Sequence, residues 1–313
     1  MKKRMLTMKE TLRRMAAAAL LLPALALTGC IRDDLPPCPP MQVKIRVLDK
    51  NYFNIDAVAR LTGLDHRVDE NGPFRQYVQK LFYVLYDLHS GEVVMIRSLH
   101  DVQGDEPEAT AYLPDDLPYG DYVLVVWGNI PSEDPILEDG NYMSYDMHTD
   151  SVEGFDPYVG CDTLHYTLEQ NTDTVYLERV KGKLLIEATG LPDTVNWSRK
   201  HVLGLFGRLD VAEGYGAPGA SVFNHTEWKP GARPFSDTYV APTGYDRGSL
   251  VSVDFFADPE RQPPVLTPDD VEVDFHRNSI VVLRYDYDQL TDEFTIYVLI
   301  NENWEMLHGM ELD

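Results

Sequence analysis

The stretch that decides the fold is residues 120–129, GDYVLVVWGN, which is typical of a turn followed by a buried β-strand. Apolar residues alternate with polar ones at Val43, Ile45 and Val47, and residues 81–86 are apolar on both faces, as in the core strand of a sandwich. Only residues 55–61 and 72–80 have a helix-like pattern. The sequence therefore predicts an all-β protein.

Further strand patterns, separated by turns rich in Gly and Pro, divide the chain into two sets of about 130 residues each. We expect two β-sandwich domains in tandem, at residues 41–170 and 171–313, with residues 172–178 opening the second set. The polar residues 131–159 are interpreted as an excursion over the surface.

The N-terminus predicts a lipoprotein signal peptide at residues 1–29. A basic segment is followed by 13 apolar residues, Met15 to Leu27. These are too few for a spanning helix, which needs about 20 residues, but they suit a secretory signal. The stretch ends in LTGC, and a Cys at this position is typical of bacterial lipoproteins, in which Cys30 becomes acylated at the new N-terminus. Residues 30–40 contain four prolines and predict a stiff tether.

Charge excludes some classes of partner. The chain has 51 acidic and 27 basic residues, a formal net charge of −24. Such a chain is a poor binder of nucleic acid, which needs clustered Lys and Arg, and its charge does not favour anionic lipid. A hydrophobic content of 44% also disfavours disorder.

Motifs for catalysis are missing from the sequence. The nine His residues do not have the spacing of metal ligands, and no nucleophile elbow or Walker loop is present. Adjacent carboxylates such as Asp115 and Asp116 point to opposite faces of a strand, so they are poor acid–base pairs. The sequence predicts no catalytic residue, no metal site and no cofactor.

Three cysteines are present, and Cys30 is assigned to the lipid. Cys38 and Cys161 then form an even pair in an exported protein, which makes them a candidate disulfide between the tether and a later loop. The pattern cannot show that they are close, so two free thiols are the alternative.

Four stretches are similar to a known family: residues 30–38 with the two Cys, 81–87 followed by Gly91, 117–129, and 175–186. They resemble the fimbrillin-associated anchor and assembly lipoproteins of Bacteroidales-type pili. One departure is Tyr119, where that family usually has a second Pro. The resemblance implies two transthyretin-like β-sandwiches, anchorage to the outer membrane through lipid on Cys30, a place on the cell surface at the base of the pilus, and no enzymatic activity. It also implies a stalk subunit, the major pilin, as partner.

In pilins of this kind, a subunit fills a groove in its neighbour with a β-strand. Residues 43–48 follow Cys30 so closely that cleavage after them would release the protein, so we expect this strand to stay and to keep the groove closed. Residues 294–300 are the expected donor strand, with the tail 301–313 extending beyond it. The alternative is that 294–300 is the final strand of the core and that the tail is disordered. Their partner-binding side chains would share one face: Phe294, Ile296, Val298 and Ile300.

Two other functions stay open at this point. A glycan-binding surface lipoprotein would use exposed aromatic residues, for which Trp228 and Trp304 are the candidates, whereas Trp127 has the pattern of a core residue. A stalk or tip subunit would be trimmed after export at Arg60 or Arg67.

Overall fold

Strands dominate the computed structural model, which describes residues 40–133, 142–229, 232–258, 260, 263–300 and 303–308. It is 52% strand and 6% helix, so the all-β prediction is confirmed. The predicted signal peptide and most of the tether lie outside the described residues. The strands are β1 (Gln42–Val47), β2 (Lys80–Asp87), β3 (Val93–Asp101), β4 (Ala109–Tyr112), β5 (Gly120–Gly128), β6 (Ser144–Asp146), β7 (Tyr158–Tyr166), β8 (Thr172–Arg179), β9 (Gly182–Thr189), β10 (Trp197–Asp210), β11 (Gly214–Glu227), β12 (Phe235–Val240), β13 (Ser249–Phe256), β14 (Val271–Val273), β15 (Ile280–Asp288), β16 (Glu293–Ile300) and β17 (Asn303–His308).

Seven strands form the first sheet, in the order β3-β2-β5-β7-β8-β1-β4. Residues from both halves of this sheet share one core, among them Val43 and Ile45 of β1, Leu81 of β2, and Leu124 and Val126 of β5. The sheet therefore curves around its own core. Because successive side chains of a strand point to opposite faces, every second residue of β5 faces this core.

The remaining side chains of β5 explain why its sequence is apolar on both faces. Val125 and Trp127 belong to a second core cluster, which lies mainly between two five-stranded sheets. These sheets have the orders β11-β10-β13-β14, with β6 added beside β10, and β12-β9-β15-β16-β17. Their facing strands supply buried residues such as Val202, Val253 and Leu283. This second half of the chain is a β-sandwich.

Strand β8 belongs to the first sheet, so the expectation that it opens the second set is wrong. It pairs in parallel with β1 over residues 172–177 and antiparallel with β7. Its buried residues Val175 and Leu177 pack in the first core. The change of sheet falls after Arg179 rather than at residue 171, while the division into two separate domains stays a prediction.

The polar stretch 131–159 is only partly an excursion over the surface. Tyr145 and Met147 are buried, and β6 pairs with β10. The indole Nε1–H of Trp127 donates to the carbonyl oxygen of Tyr142 at 3.0 Å, and β7 already begins at Tyr158. Scattered apolar side chains within a polar stretch thus tie this segment to both cores.

One α-helix, α1 (Ile55–Thr62), confirms the helical pattern at 55–61. It ends at Gly63, whose positive φ of 73° suits a residue without a side chain and whose N–H donates to the carbonyl oxygen of Ala59. Ile55 and Val58 pack on β9 and β15. The second helix-like stretch, 72–80, is not an α-helix. It contains the 3-10 turn Phe74–Gln76, and its last residue, Lys80, is the first residue of β2.

Candidate functional site

Strand β1 is held on both edges by its own sheet. It pairs in parallel with β8 and antiparallel with β4. Val43, Ile45 and Val47 are buried, and the N–H of Leu48 donates to Leu177 at 2.8 Å. The predicted alternation is confirmed. Strand β1 is paired on both edges within this chain, although one partner, β8, was expected in the second strand set. That the strand stays in the mature protein and keeps a groove closed remains a prediction.

Strand β16, the expected donor, lies inside a sheet. It pairs with β15 on one edge and with β17 on the other. Ile296 and Val298 are buried in the second core cluster, the one between the two five-stranded sheets. Phe294 is half-buried against it, and Ile300 ends the strand. A run of β-prone residues indicates a buried strand but does not show how many neighbours it has. The described side chains are core residues of this chain, so their binding to a partner stays a prediction that requires β16 to leave its sheet.

The segment expected to be a free tail forms the edge strand β17. Trp304 packs over the guanidinium of Arg284, 3.9 Å from the ring centroid. Met306 and Leu307 are exposed. Within the described ranges no strand pairs with the outer edge of β17. An edge of this kind can accept another strand through its backbone N–H and C=O groups.

The cysteines are only partly covered by the structure. Cys161 is exposed and lies on β7, in register with Val125 of β5, so the expected loop is a strand. Cys30 and Cys38 lie outside the described residues. Lipidation at Cys30 and the bridge from Cys38 to Cys161 both stay predictions.

The tryptophans do not form a shared platform. Trp127 is fully buried, which confirms its prediction as a core residue. Trp228 is half-buried beside Phe255, and Trp304 belongs to the separate cluster beneath α1. Since these two rings pack on different clusters, they do not make the exposed face that glycan stacking on Trp228 and Trp304 would need.

A buried polar network centred on Arg179 joins three distant segments. The guanidinium donates to Asp156 at 2.9 Å and to the side-chain oxygen of Asn278 at 2.6 Å. The backbone N–H of Arg179 donates to the carboxylate of Asp49, which also accepts from Arg277. Burial raises the pKa of the Asp156 carboxyl, and the charge of Arg179 acts in the opposite direction. The members are far apart in the chain, so no local motif could have pointed to this network.

A second polar group lies between the sheets of the sandwich. The carboxylate of Glu153 accepts from the N–H of Tyr239 at 2.7 Å and from the amide of Asn224 at 2.8 Å. Lys181 and Lys200 are buried, and this burial lowers the pKa of each ammonium group to about 8. Nζ of Lys181 donates to the backbone carbonyl oxygen of Glu153. These contacts fix the loop before β7 onto β11 and β12.

Two features are missing from the described ranges. These ranges contain no group of three or more His, Cys, Asp or Glu side chains that could hold a metal ion. They also contain no helix with the length and apolar character required to cross a membrane.

Comparisons with known proteins place the fold. No protein-family model and no curated protein matches this chain in sequence. A proposed adhesin from Bacteroides thetaiotaomicron matches in structure with a TM-score of 0.54 and 14% identity, covering 88% of this chain and 100% of that one. A proposed adhesin from Bacteroides ovatus gives 0.53 and 16%, covering 90% and 98%. The fimbrial anchor protein Mfa2 from Porphyromonas gingivalis gives 0.45 and 12%, covering 87% and 100%. The chain therefore has the fold of the two Bacteroides proteins.

Proposed function

We propose that this chain is a non-enzymatic lipoprotein of the outer membrane that holds a fimbria on the cell surface and ends its polymerisation. The lipoprotein-type signal ending at Cys30 and the resemblance to fimbrial anchor lipoproteins support the first half of this proposal. The observation that carries it is the position of β1, which begins at Gln42, close to Cys30, and is paired on both edges.

The pairing of β1 gives a physical reason for termination. A subunit that accepts a neighbour's strand must first open a groove in its own sheet. Here the position between β4 and β8 is filled by β1, whose Val43 and Ile45 are fully buried. Losing β1 by cleavage after it would also cut the sheet from the lipid on Cys30. An anchored subunit of this design contributes a contact to the stalk but has no open groove between β4 and β8 for a stalk strand to enter.

The contact with the stalk subunit belongs to the other end of the chain. The outer edge of β17 is more accessible to a strand of the partner than β16 is, because β16 is already paired on both edges. Met306 and Leu307 are exposed apolar side chains on β17 that a neighbouring pilin would cover. The partner in this proposal is the major pilin of the stalk.

Replacing the acylated residue tests the anchor. In cells carrying Cys30→Ser, we expect the protein and any attached fibres in the medium, because no lipid is added. The measurement is fractionation, with mass spectrometry of the N-terminus. Cys161→Ser is the control, and its protein should stay with the membrane. Cys30→Ser protein that remains in the membrane fraction with intact fimbriae would contradict the proposal.

Removing the edge strand tests the contact with the stalk. Deletion of residues 303–313 should detach fimbriae while the protein itself stays in the membrane. Met306→Arg and Leu307→Arg, which place charge on β17 without shortening the chain, should weaken attachment in the same direction. Leu290→Arg, in the exposed turn between β15 and β16, is the matched control. Fimbrial attachment and length that are unchanged in the deletion would rule out this role for β17.

A trimmed stalk or tip subunit is less well supported. Arg60 lies within α1, whose Ile55 and Val58 are buried against the sandwich, and a protease must first unfold a helix to cut it. Arg67 lies outside the helix and pairs with Asp65 at 2.7 Å. Mass spectrometry of the native N-terminus separates the two functions, since a chain starting after either Arg belongs to a trimmed subunit.

A further inference from the structure

A polar cavity of about 370 Å³ lies beside the Arg179 network, between the loop that follows β1 and strands β7, β8, β9 and β12. Its volume is within the range of small-molecule sites, roughly 300–1,000 Å³. The residues that matter for its chemistry are Lys50, Tyr52, His66, Phe155, Asp156 and Lys183.

The charge of the cavity is the reverse of that of the chain. Its lining contains three basic side chains, Lys50, Arg179 and Lys183, and one acidic side chain, Asp156, whereas acidic residues outnumber basic ones almost two to one in the whole sequence. Arg179 is engaged by Asp156, and Lys183 is paired with Asp237 at 2.9 Å. Nζ of Lys50 donates to the backbone carbonyl oxygen of Glu70, whose carboxylate accepts from Asn51 and lies outside the lining. The lining side chains by themselves carry an excess of positive charge, which favours an anionic ligand.

Two buried polar atoms of the lining lack hydrogen-bond partners in the described part of the chain: the hydroxyl of Tyr52 and Nε2 of His66. Tyr52 is only 7% exposed. Burial raises the pKa of Tyr52 and lowers that of His66, so both side chains stay neutral near pH 7. Buried polar atoms are nearly always paired in folded proteins. Oxygens of a molecule in the cavity can complete both atoms.

Aromatic rings supply the third element. Phe155 lines the cavity and is 57% exposed. The ring of Tyr239 also lines the cavity, and Nζ of Lys183 lies 4.6 Å from its centroid. Rings of this kind offer flat apolar faces while nearby polar atoms stay available. Such a combination suits the C–H face of a sugar ring better than a simple carboxylate.

We propose that this cavity binds a monosaccharide that carries a carboxylate, such as a hexuronic or sialic acid. Lys50 and Lys183 attract the carboxylate, Tyr52 and His66 bond ring hydroxyls, and Phe155 covers the apolar face. This binding is independent of anchorage through Cys30 and of the β17 edge.

Titration calorimetry of the mature chain in detergent tests the site. The probes are glucuronate and N-acetylneuraminate, with glucose and acetate as the neutral and the non-sugar comparisons. We expect saturable binding of at least one sugar acid and about tenfold weaker binding of glucose and of acetate. In Tyr52→Phe and in Phe155→Ala, the affinity for the sugar acid should fall about tenfold. Tyr52→Phe removes an oxygen that has no partner, and Phe155 is exposed, so both variants should fold.

The matched controls are Tyr285→Phe, which removes another buried hydroxyl without a partner, and Phe223→Ala, which removes another exposed ring. Neither residue lines the cavity, and both variants should bind like the parent chain. The proposal is overturned if no sugar acid binds up to about 50 mM, if acetate or glucose binds as tightly, or if the controls lose as much affinity as Tyr52→Phe and Phe155→Ala.

Discussion

Arg179→Met should lower the free energy of unfolding by about 3–5 kcal/mol, because it leaves a buried charge without its partner. The guanidinium is almost fully buried, and the side chain of Asp156 is only 15% exposed. Asn278 and the hydroxyl of Tyr158 lose a donor in the same step. Urea unfolding followed by fluorescence measures the change, with the slope checked so that a change in midpoint reports stability.

The matched control is Arg75→Met. Arg75 also pairs with a carboxylate, that of Asp105 at 2.6 Å, but both side chains are more than half exposed. We expect a loss of less than about 1 kcal/mol, since exposed ion pairs contribute little. Arg179→Met combined with Asp156→Leu should recover part of the loss, because no unpaired charge then stays buried. Equal effects in Arg179→Met and Arg75→Met would show that the network is open to water.

This network has a structural consequence for anchorage. Asp49 follows β1, Arg179 ends β8, and Asn278 precedes β15. The side chain of Asn54 forms a second link, because it donates to the carbonyl oxygen of Ile280 and accepts from its N–H. If the proposed anchorage holds, force applied N-terminal to β1 reaches the sandwich through β1 and these polar contacts as well as through the backbone.

The sequence predicts well what depends on local pattern. The alternation at Val43, Ile45 and Val47 identifies β1, and the apolar run around Trp127 identifies a strand buried on both faces. Pattern reports which face of a strand is buried but not against which sheet. For this reason β8, whose Val175 and Leu177 belong to the first core, was expected in the second set.

The candidate site is less accessible to sequence reasoning. Residues 294–300 have the composition of a buried strand, but only the pairing of β16 with β17 shows that the edge lies at residues 303–308. Of the cavity residues, Tyr52 and His66 lie in one segment and Lys183 in a distant one, and each has an ordinary sequence context. Long-range pairing places them together, and no spacing rule describes it.

Acidic solution should destabilise the protein through His148. Its imidazole Nε2 accepts from the N–H of Ala241 at 2.9 Å, so the proton resides on Nδ1, which faces the carbonyl oxygen of Val152 at 3.0 Å. A second proton would have to sit on Nε2, where it would break the hydrogen bond that Nε2 accepts from the N–H of Ala241. Burial, with the nearby Lys181 ammonium, lowers the pKa of this imidazole from 6.5 to about 3.

The sign of the effect follows from these two values. Below pH 6.5 the unfolded chain takes up a proton at His148, whereas the folded chain does not until about pH 3, so stability falls as the pH falls through this window. Between pH 7 and pH 4.5 this residue alone should remove about 3 kcal/mol. His148→Gln can keep both hydrogen bonds but does not titrate. The stability of the parent chain minus that of His148→Gln, from urea unfolding at each pH, should therefore drop by this amount. A flat difference would mean that the imidazole titrates freely in the folded protein and that the loop before β7 is not closed over it.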